Sequence, residues 1–240
     1  MAEQSKQTPV AAILGVGPGL GAALARRFAK GYAVAVVARR ADYLKSVCDG
    51  IRASGGRSLE VVADVGDSGQ LAAAFKSIRE QLGSPEVLIY NASAGPFGSL
   101  SEISAEEYEN SWRVSAFGAF LSAKEVVPEM LTRGHGVLLF TGATAGVKAG
   151  ARSAAFGSSK FALRGLAQSL ARDLGPKGIH VASINVDGSI DIPGRERRPQ
   201  QKDEDLLKPD AIAETYWHLA HQDRSAWTLE LEVRPFKEKF

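Results

Sequence analysis

The run Gly15-Val16-Gly17-Pro18-Gly19-Leu20-Gly21 leaves an apolar, strand-like segment and enters a helical one. Glycines at such a junction permit a tight turn and a close approach of backbone to ligand. The helix start adds free N–H groups and the positive end of its dipole. This is the chemistry of a pyrophosphate cradle. It predicts a dinucleotide held by Gly15, Gly17, Pro18, Gly19, Leu20 and Gly21. Pro18 lacks an N–H and offers one phosphate donor fewer. The second strand ends at Ala38, followed by Arg39 and Arg40. A site for NAD(H) usually ends that strand with an acid that takes the ribose hydroxyls. An acid would repel a 2′-phosphate, whereas a guanidinium pairs with it through charge-assisted hydrogen bonds. The ending therefore favours NADP(H) over NAD(H), with Arg39 and Arg40 as contacts.

Other chemistries lack their residues. His135, His180, His218 and His221 show no metal-ligand spacing, and no Cys/His cluster suggests zinc. There is no Gly-x-Ser-x-Gly nucleophile elbow.

The elements that position the cradle read as alternating strands and helices. Strands are expected at Val10 to Leu14, Ala33 to Val37, Ser58 to Val62, Val87 to Tyr90, Gly136 to Thr141, His180 to Asn185 and Trp227 to Val233. Helices are expected up to Ala29, over Asp42 to Ala53, Gln70 to Leu82, Ser104 to Arg133, Ala154 to Leu174 and Asp210 to Ala220. Ser104 and Glu107 have capping-box spacing, and Pro128 is expected to bend the fourth helix near its end. Continuous apolar strands alternating with helices imply a parallel sheet covered on both faces. The fold class is a single α/β domain over residues 1–240. It is a Rossmann-type, doubly wound, mostly parallel seven-stranded sheet with helices on both faces. A polar stretch at about 189–209, with Arg195, Arg197 and Arg198, reads as a solvated loop or a lid over the site.

Bulk composition fits this reading. The chain has 240 residues, 45% hydrophobic and 23% charged, which suits one globular core. A net charge of +2 gives no footprint for nucleic acid or an anionic membrane surface. Cys48 is the single cysteine, so no intrachain disulfide can form, consistent with the cytoplasm or another reducing compartment. Met1 to Pro9 reads as a polar lead-in, not a signal peptide. No run approaches the ~20 apolar residues of a membrane span.

The spacing Gly-x-x-x-Gly-x-Gly, with the strand order around it, resembles the short-chain dehydrogenase/reductase family over nearly the whole chain. The resemblance implies that Asp64 and Val65 lie on the adenine side. It puts Tyr90-Asn91-Ala92-Ser93 at the family's Asn-Asn-Ala-Gly segment, which makes Asn91, Ala92 and Ser93 cofactor contacts. Asp187-Gly188 replaces the family's Pro-Gly, Ile192 stands where a Thr often follows, and Gly188 and Ile190 join the cofactor set. The family's active site has an Asn, a Ser and a Tyr-x-x-x-Lys pair. The corresponding positions hold Ser115, Ala143, Phe156 and Lys160. Lys160 is the one member kept, as the ribose-binding lysine and the sole retained catalytic candidate. Ser153 occupies the Tyr position of the enoyl reductase branch.

Phenylalanine cannot pass a proton and alanine cannot hydrogen-bond an oxyanion. Losing a positioned acid or base costs ~100 to 10,000-fold in rate. Lys160, a water, Thr141, Thr144, Ser158 or Ser159 could supply the proton instead. The expected function is an atypical NADP(H)-dependent oxidoreductase acting on a small carbonyl, alcohol or activated alkene. The alternative is a catalytically impaired pseudoenzyme, a cofactor-binding sensor, scaffold or partner subunit. The resemblance also implies a homodimer or homotetramer through the two long helices, where Trp112, Phe117 and Phe120 recur at helical spacing.

Overall fold

The computed structural model describes residues 8–238, so the first seven residues of the lead-in lie outside it. Strand β1 (Val10–Leu14) leads through the glycine turn into α1 (Leu20–Phe28). Then follow β2 (Ala33–Ala38), α2 (Ala41–Ala53), β3 (Ser58–Val62), α3 (Ser68–Gln81) and β4 (Val87–Tyr90). The second half contains α4 (Ala105–Trp112), α5 (Gly118–Arg133), β5 (Gly136–Thr141), α6 (Ala154–Leu174) and β6 (Ile179–Val186). It ends with β7 (Ser189–Ile190), β8 (Leu206–Leu207), α7 (Pro209–Ala220) and β9 (Glu230–Val233).

Seven strands form one sheet in the order β3-β2-β1-β4-β5-β6-β9, every pair parallel. The chain reverses direction across the sheet between β1 and β4. In open α/β sheets the ligand crevice opens at the carboxyl ends of the strands at such a point. Side chains alternate along β1 to make both cores. Val10, Ala12 and Leu14 join the layer under α3, α5 and α6, while Ala11 and Ile13 join that under α1, α2 and α7.

The long helix expected over Ser104 to Arg133 is not continuous. A π-helical turn, Arg113–Phe117, separates α4 from α5. The cause is a side chain distant in sequence. The Tyr90 hydroxyl donates to the Val114 carbonyl, the acceptor that the Gly118 N–H would use in an α-helix. The Gly118 N–H instead reaches back to Arg113. The helix passes through Pro128 without ending there. At its start, Ser104 Oγ accepts from Glu107 N at 3.1 Å and Glu107 Oε2 accepts from Ser104 N at 2.9 Å. Ser104→Ala is expected to cost about 1 kcal/mol, read as a lower urea midpoint with unchanged slope.

The last strand is shorter than expected because Trp227 and Thr228 turn back onto Gln222, through Trp227 Nε1 at 3.3 Å and Thr228 N at 3.0 Å. Residues 189–209 hold the parallel ribbon β7–β8, laced by Lys208 to Asp191 at 2.8 Å and Arg197 to Asp191 at 3.5 Å. Among the described residues no helix is long and apolar enough to cross a membrane, and no group of three or more His, Cys, Asp or Glu could hold a metal.

Candidate functional site

The glycine turn is shaped by two close approaches. Gly15 has φ +84°, and a Cβ there would lie 2.4 Å from Ala92 N, in the loop after β4. A Cβ on Gly21 would lie 2.7 Å from the Gly15 carbonyl oxygen. Only glycine lets the first turn of α1 and the β4 loop close on the end of β1 together. Gly15 N and Val16 N both donate to Val37 O, at 2.9 and 3.2 Å, fixing the turn to β2. Helix α1 starts at Gly19 with no side-chain cap and no acid in its first turn. Its free N–H groups and dipole thus face an approaching anion without competition. A Cβ on Gly17 would meet nothing within 4 Å, since this residue borders a cavity. The backbone there fits a pyrophosphate.

That cavity has a volume of about 580 Å³. This lies within the ~300–1,000 Å³ usual for cofactor and small-molecule sites. Its wall brings together the turn 15–21, Arg39 and Arg40, Asp64 and Val65, residues 91–93, Lys160, Gly188 and Ile190. Ala143, Phe156 and Ile192 line it too. Ser115 does not. It is fully buried in the π turn, and its hydroxyl sits 3.4 Å from both the N and the O of Ala94. Ala38, Ala63, Thr141 and Val186 also line it, at or just past the ends of β2, β3, β5 and β6, together with Ala94, Val114 and Gly142. Their residue types do not mark them in the sequence as residues of the cavity. The signal that could have found them is position alone, at the carboxyl ends of parallel strands.

Arg39 stands on the open rim with its side chain 76% exposed, 3.8 Å from the Asp64 carboxylate. Arg40 instead lies over the Tyr43 ring, 5.2 Å from its centroid. Lys160 is 3% exposed and donates to Thr141 O at 2.8 Å. Burial lowers its amine from the usual lysine range to about 8. The Phe156 ring, which lines the cavity, is 5.7 Å from this amine and 5.3 Å from the Phe97 ring outside the wall.

Of the four hydroxyls considered as proton donors, Thr141 alone belongs to the wall. Thr144 Oγ1 donates to Asp187. Ser158 Oγ returns to Ala154 O at 2.7 Å, and Ser159 Oγ is held by Phe156 O at 2.8 Å and Ser111 Oγ at 3.3 Å. These three are spent on local structure.

The geometry has counterparts in known proteins. The family model described as short chain dehydrogenase matches residues 9–201. A metagenomic short-chain oxidoreductase solved in complex with NADP superposes with a TM-score of 0.83 at 28% identity, over 95% of this chain and 97% of that one. The (2S)-[(R)-hydroxy(phenyl)methyl]succinyl-CoA dehydrogenase subunit BbsD of Thauera aromatica is 30% identical over 90% of this chain and 91% of its own. The glycine betaine reductase ATRR of Emericella nidulans is 26% identical over 95% of this chain, which spans 19% of that longer protein.

Proposed function

Because the chain belongs to the short chain dehydrogenase family, we propose that it is an NADP(H)-dependent oxidoreductase acting on a small carbonyl, alcohol or activated alkene. One observation carries the reading: a single cavity gathers the glycine turn, Arg39 and the buried Lys160. The NADP complex of the metagenomic relative supports the cofactor class. A nicotinamide held there would supply or accept a hydride.

The chain's own residues do the rest. The turn holds the pyrophosphate with the N–H groups of α1. Arg39 pairs with the 2′-phosphate from the rim. Asp64, Val65 and residues 91–93 border the adenine side and the floor, and Gly188, Ile190 and Ile192 close the opposite wall. Lys160 holds the ribose and, when protonated, is the proton-bearing group beside Phe156. Phe156 and Ala143 stand where the family has its tyrosine and serine, so neither can move a proton or hold an oxyanion. An activated alkene suits such a wall, because its proton goes to carbon and the Phe156 ring accepts an apolar substrate body. The segment 189–209 acts as a lid, since Ile190 and Ile192 already reach Gly19. The compartment is a reducing one, in keeping with the lone buried Cys48.

The same Ser115, Ala143 and Phe156 favour a second reading, a cofactor-binding pseudoenzyme or partner subunit. A homo-oligomer is proposed for either reading, through Trp112, Phe120 and Phe161. These are 43%, 42% and 43% exposed on α4, α5 and α6. Turnover of NADPH against a panel of enones and carbonyls, with cofactor binding followed in parallel, decides between them. Oxidation of NADPH with an enone is the expected result. Binding without turnover across the panel, with activity created by Phe156→Tyr plus Ala143→Ser, selects the pseudoenzyme. Wild-type protein that binds neither NADPH nor NADH removes both.

A further inference from the structure

A chain of hydrogen bonds runs beneath the cavity from one face of the sheet to the glycine turn. Tyr216, on α7, has its hydroxyl 2.8 Å from Thr141 Oγ1, at the end of β5. Thr141 Oγ1 is 3.1 Å from Asn91 Oδ1, just past β4, and Asn91 Nδ2 is 2.9 Å from Gly15 O. Tyr216 is fully buried and Thr141 nearly so.

The direction of every link is fixed by what each group can donate or accept. The Gly15 carbonyl can only accept, so the Asn91 amide must present its NH₂ there and its oxygen to Thr141. A hydroxyl has one hydrogen, and Thr141 gives it to Asn91. Thr141 must then accept from Tyr216, whose phenol is held far above its ordinary pKa by burial and stays protonated. The Thr141 main-chain carbonyl meanwhile receives Lys160. One residue thus joins the cradle to the buried amine. Helix α7 also grips α1 directly, through Arg26 to Asp210 at 2.8 Å and Arg27 to Glu214 at 2.6 Å. The helix that follows the glycine turn and the carbonyl that opens it are both tied to α7.

We propose that Tyr216 is a positioning residue for the dinucleotide cradle, acting through Thr141 and Asn91 on the Gly15 carbonyl; this rests on reading the cavity as a dinucleotide site. Without the phenol, the Thr141 hydroxyl loses the donor that holds its rotamer, so its bond to the Asn91 amide oxygen loosens, and with it the placing of the Asn91 NH₂ on the Gly15 carbonyl.

The test is NADPH titration of the full chain, alongside urea unfolding, for the wild type, Tyr216→Phe, Thr141→Val, Thr141→Ser and the double Tyr216→Phe/Thr141→Val. Loss of one link is expected to raise the Kd for NADPH about fivefold. Because the links act in series, the double variant binds no more weakly than Thr141→Val alone. Thr141→Ser, which restores the hydroxyl, recovers most of the affinity lost in Thr141→Val. A purely structural role would lower the urea midpoints and leave the Kd values of the folded proteins alone. A Kd within twofold of wild type in Tyr216→Phe overturns the inference, as do losses that multiply in the double variant. If Tyr216→Phe does not fold, equal affinities of Thr141→Val and Thr141→Ser overturn it as well. A wild-type protein with no saturable NADPH binding removes the dinucleotide reading itself, a result distinct from the other three.

Discussion

Between pH 8 and pH 10.5 the wild-type protein gains up to roughly 3 kcal/mol of stability that Lys160→Met does not gain. The unfolded chain keeps the lysine proton up to its ordinary pKa of 10.5, while the folded protein releases it at about 8. Within that window the unfolded state binds more protons, so raising the pH favours folding. Below pH 8 the folded protein carries a buried ammonium whose desolvation Thr141 O only partly offsets. Urea unfolding at intervals of half a pH unit, taken as the difference between the two proteins, isolates this group from other lysines and tyrosines. A difference that stays flat with pH would show that the amine titrates as if exposed. In turnover the sign reverses. On the proposed reading, in which a protonated Lys160 is the donor, reduction is expected to slow as pH rises through its pKa, and Lys160→Met to lower the rate by ~100 to 10,000-fold.

Replacing Arg39 with alanine is expected to weaken NADPH binding ~10 to 100-fold while leaving NADH within a factor of two or three. The guanidinium is exposed on the cavity rim, and Asp64 at 3.8 Å is its ion-pair partner. Before NADPH binds, that pair stabilises little. On the proposed reading, the guanidinium meets on NADPH a 2′-phosphate that NADH lacks. Arg39→Lys should recover only part of the loss, since an ammonium cannot make the bidentate contact. Arg40→Ala should matter less, because Arg40 covers Tyr43. Fluorescence titration with both cofactors measures the ratio. Equal losses for NADPH and NADH would mean that Arg39 shapes the rim without reading the phosphate.

Most of the fold is legible in the sequence because its signals are local. Val87–Tyr90 is apolar throughout and fully buried, as a central parallel strand requires. Ser104 and Glu107 announce the start of α4. The cradle is legible for the same reason, since a turn and a helix start are short-range features. What escapes is set by contacts distant in sequence. Nothing near Val114 shows that a tyrosine 24 residues earlier will take its carbonyl. Trp227 and Thr228 have strand-like types, yet Gln222 draws them into a turn. Thr141 is one threonine among several by spacing, and only the packed sheet puts it between Tyr216, Asn91 and Lys160. Ser115 also illustrates the limit. The resemblance to the family sets it at an active-site position, while in the fold its hydroxyl is taken up by the main chain of Ala94 and Ser115 itself does not line the cavity.

The π turn changes the angular phase of the helix that contains it. Five residues of regular α-helix rotate through about 500°, which would set Trp112 and Phe117 about 140° apart. The wider turn restores them to one side, and their rings stack 5.3 Å apart, with Phe120 continuing the series at 6.5 Å from Phe117. A single phenolic hydrogen bond from β4 thereby decides which way a row of aromatic side chains points on the outside of the protein. Removing it with Tyr90→Phe would let α4 and α5 fuse into one regular helix and rotate Trp112 out of the row.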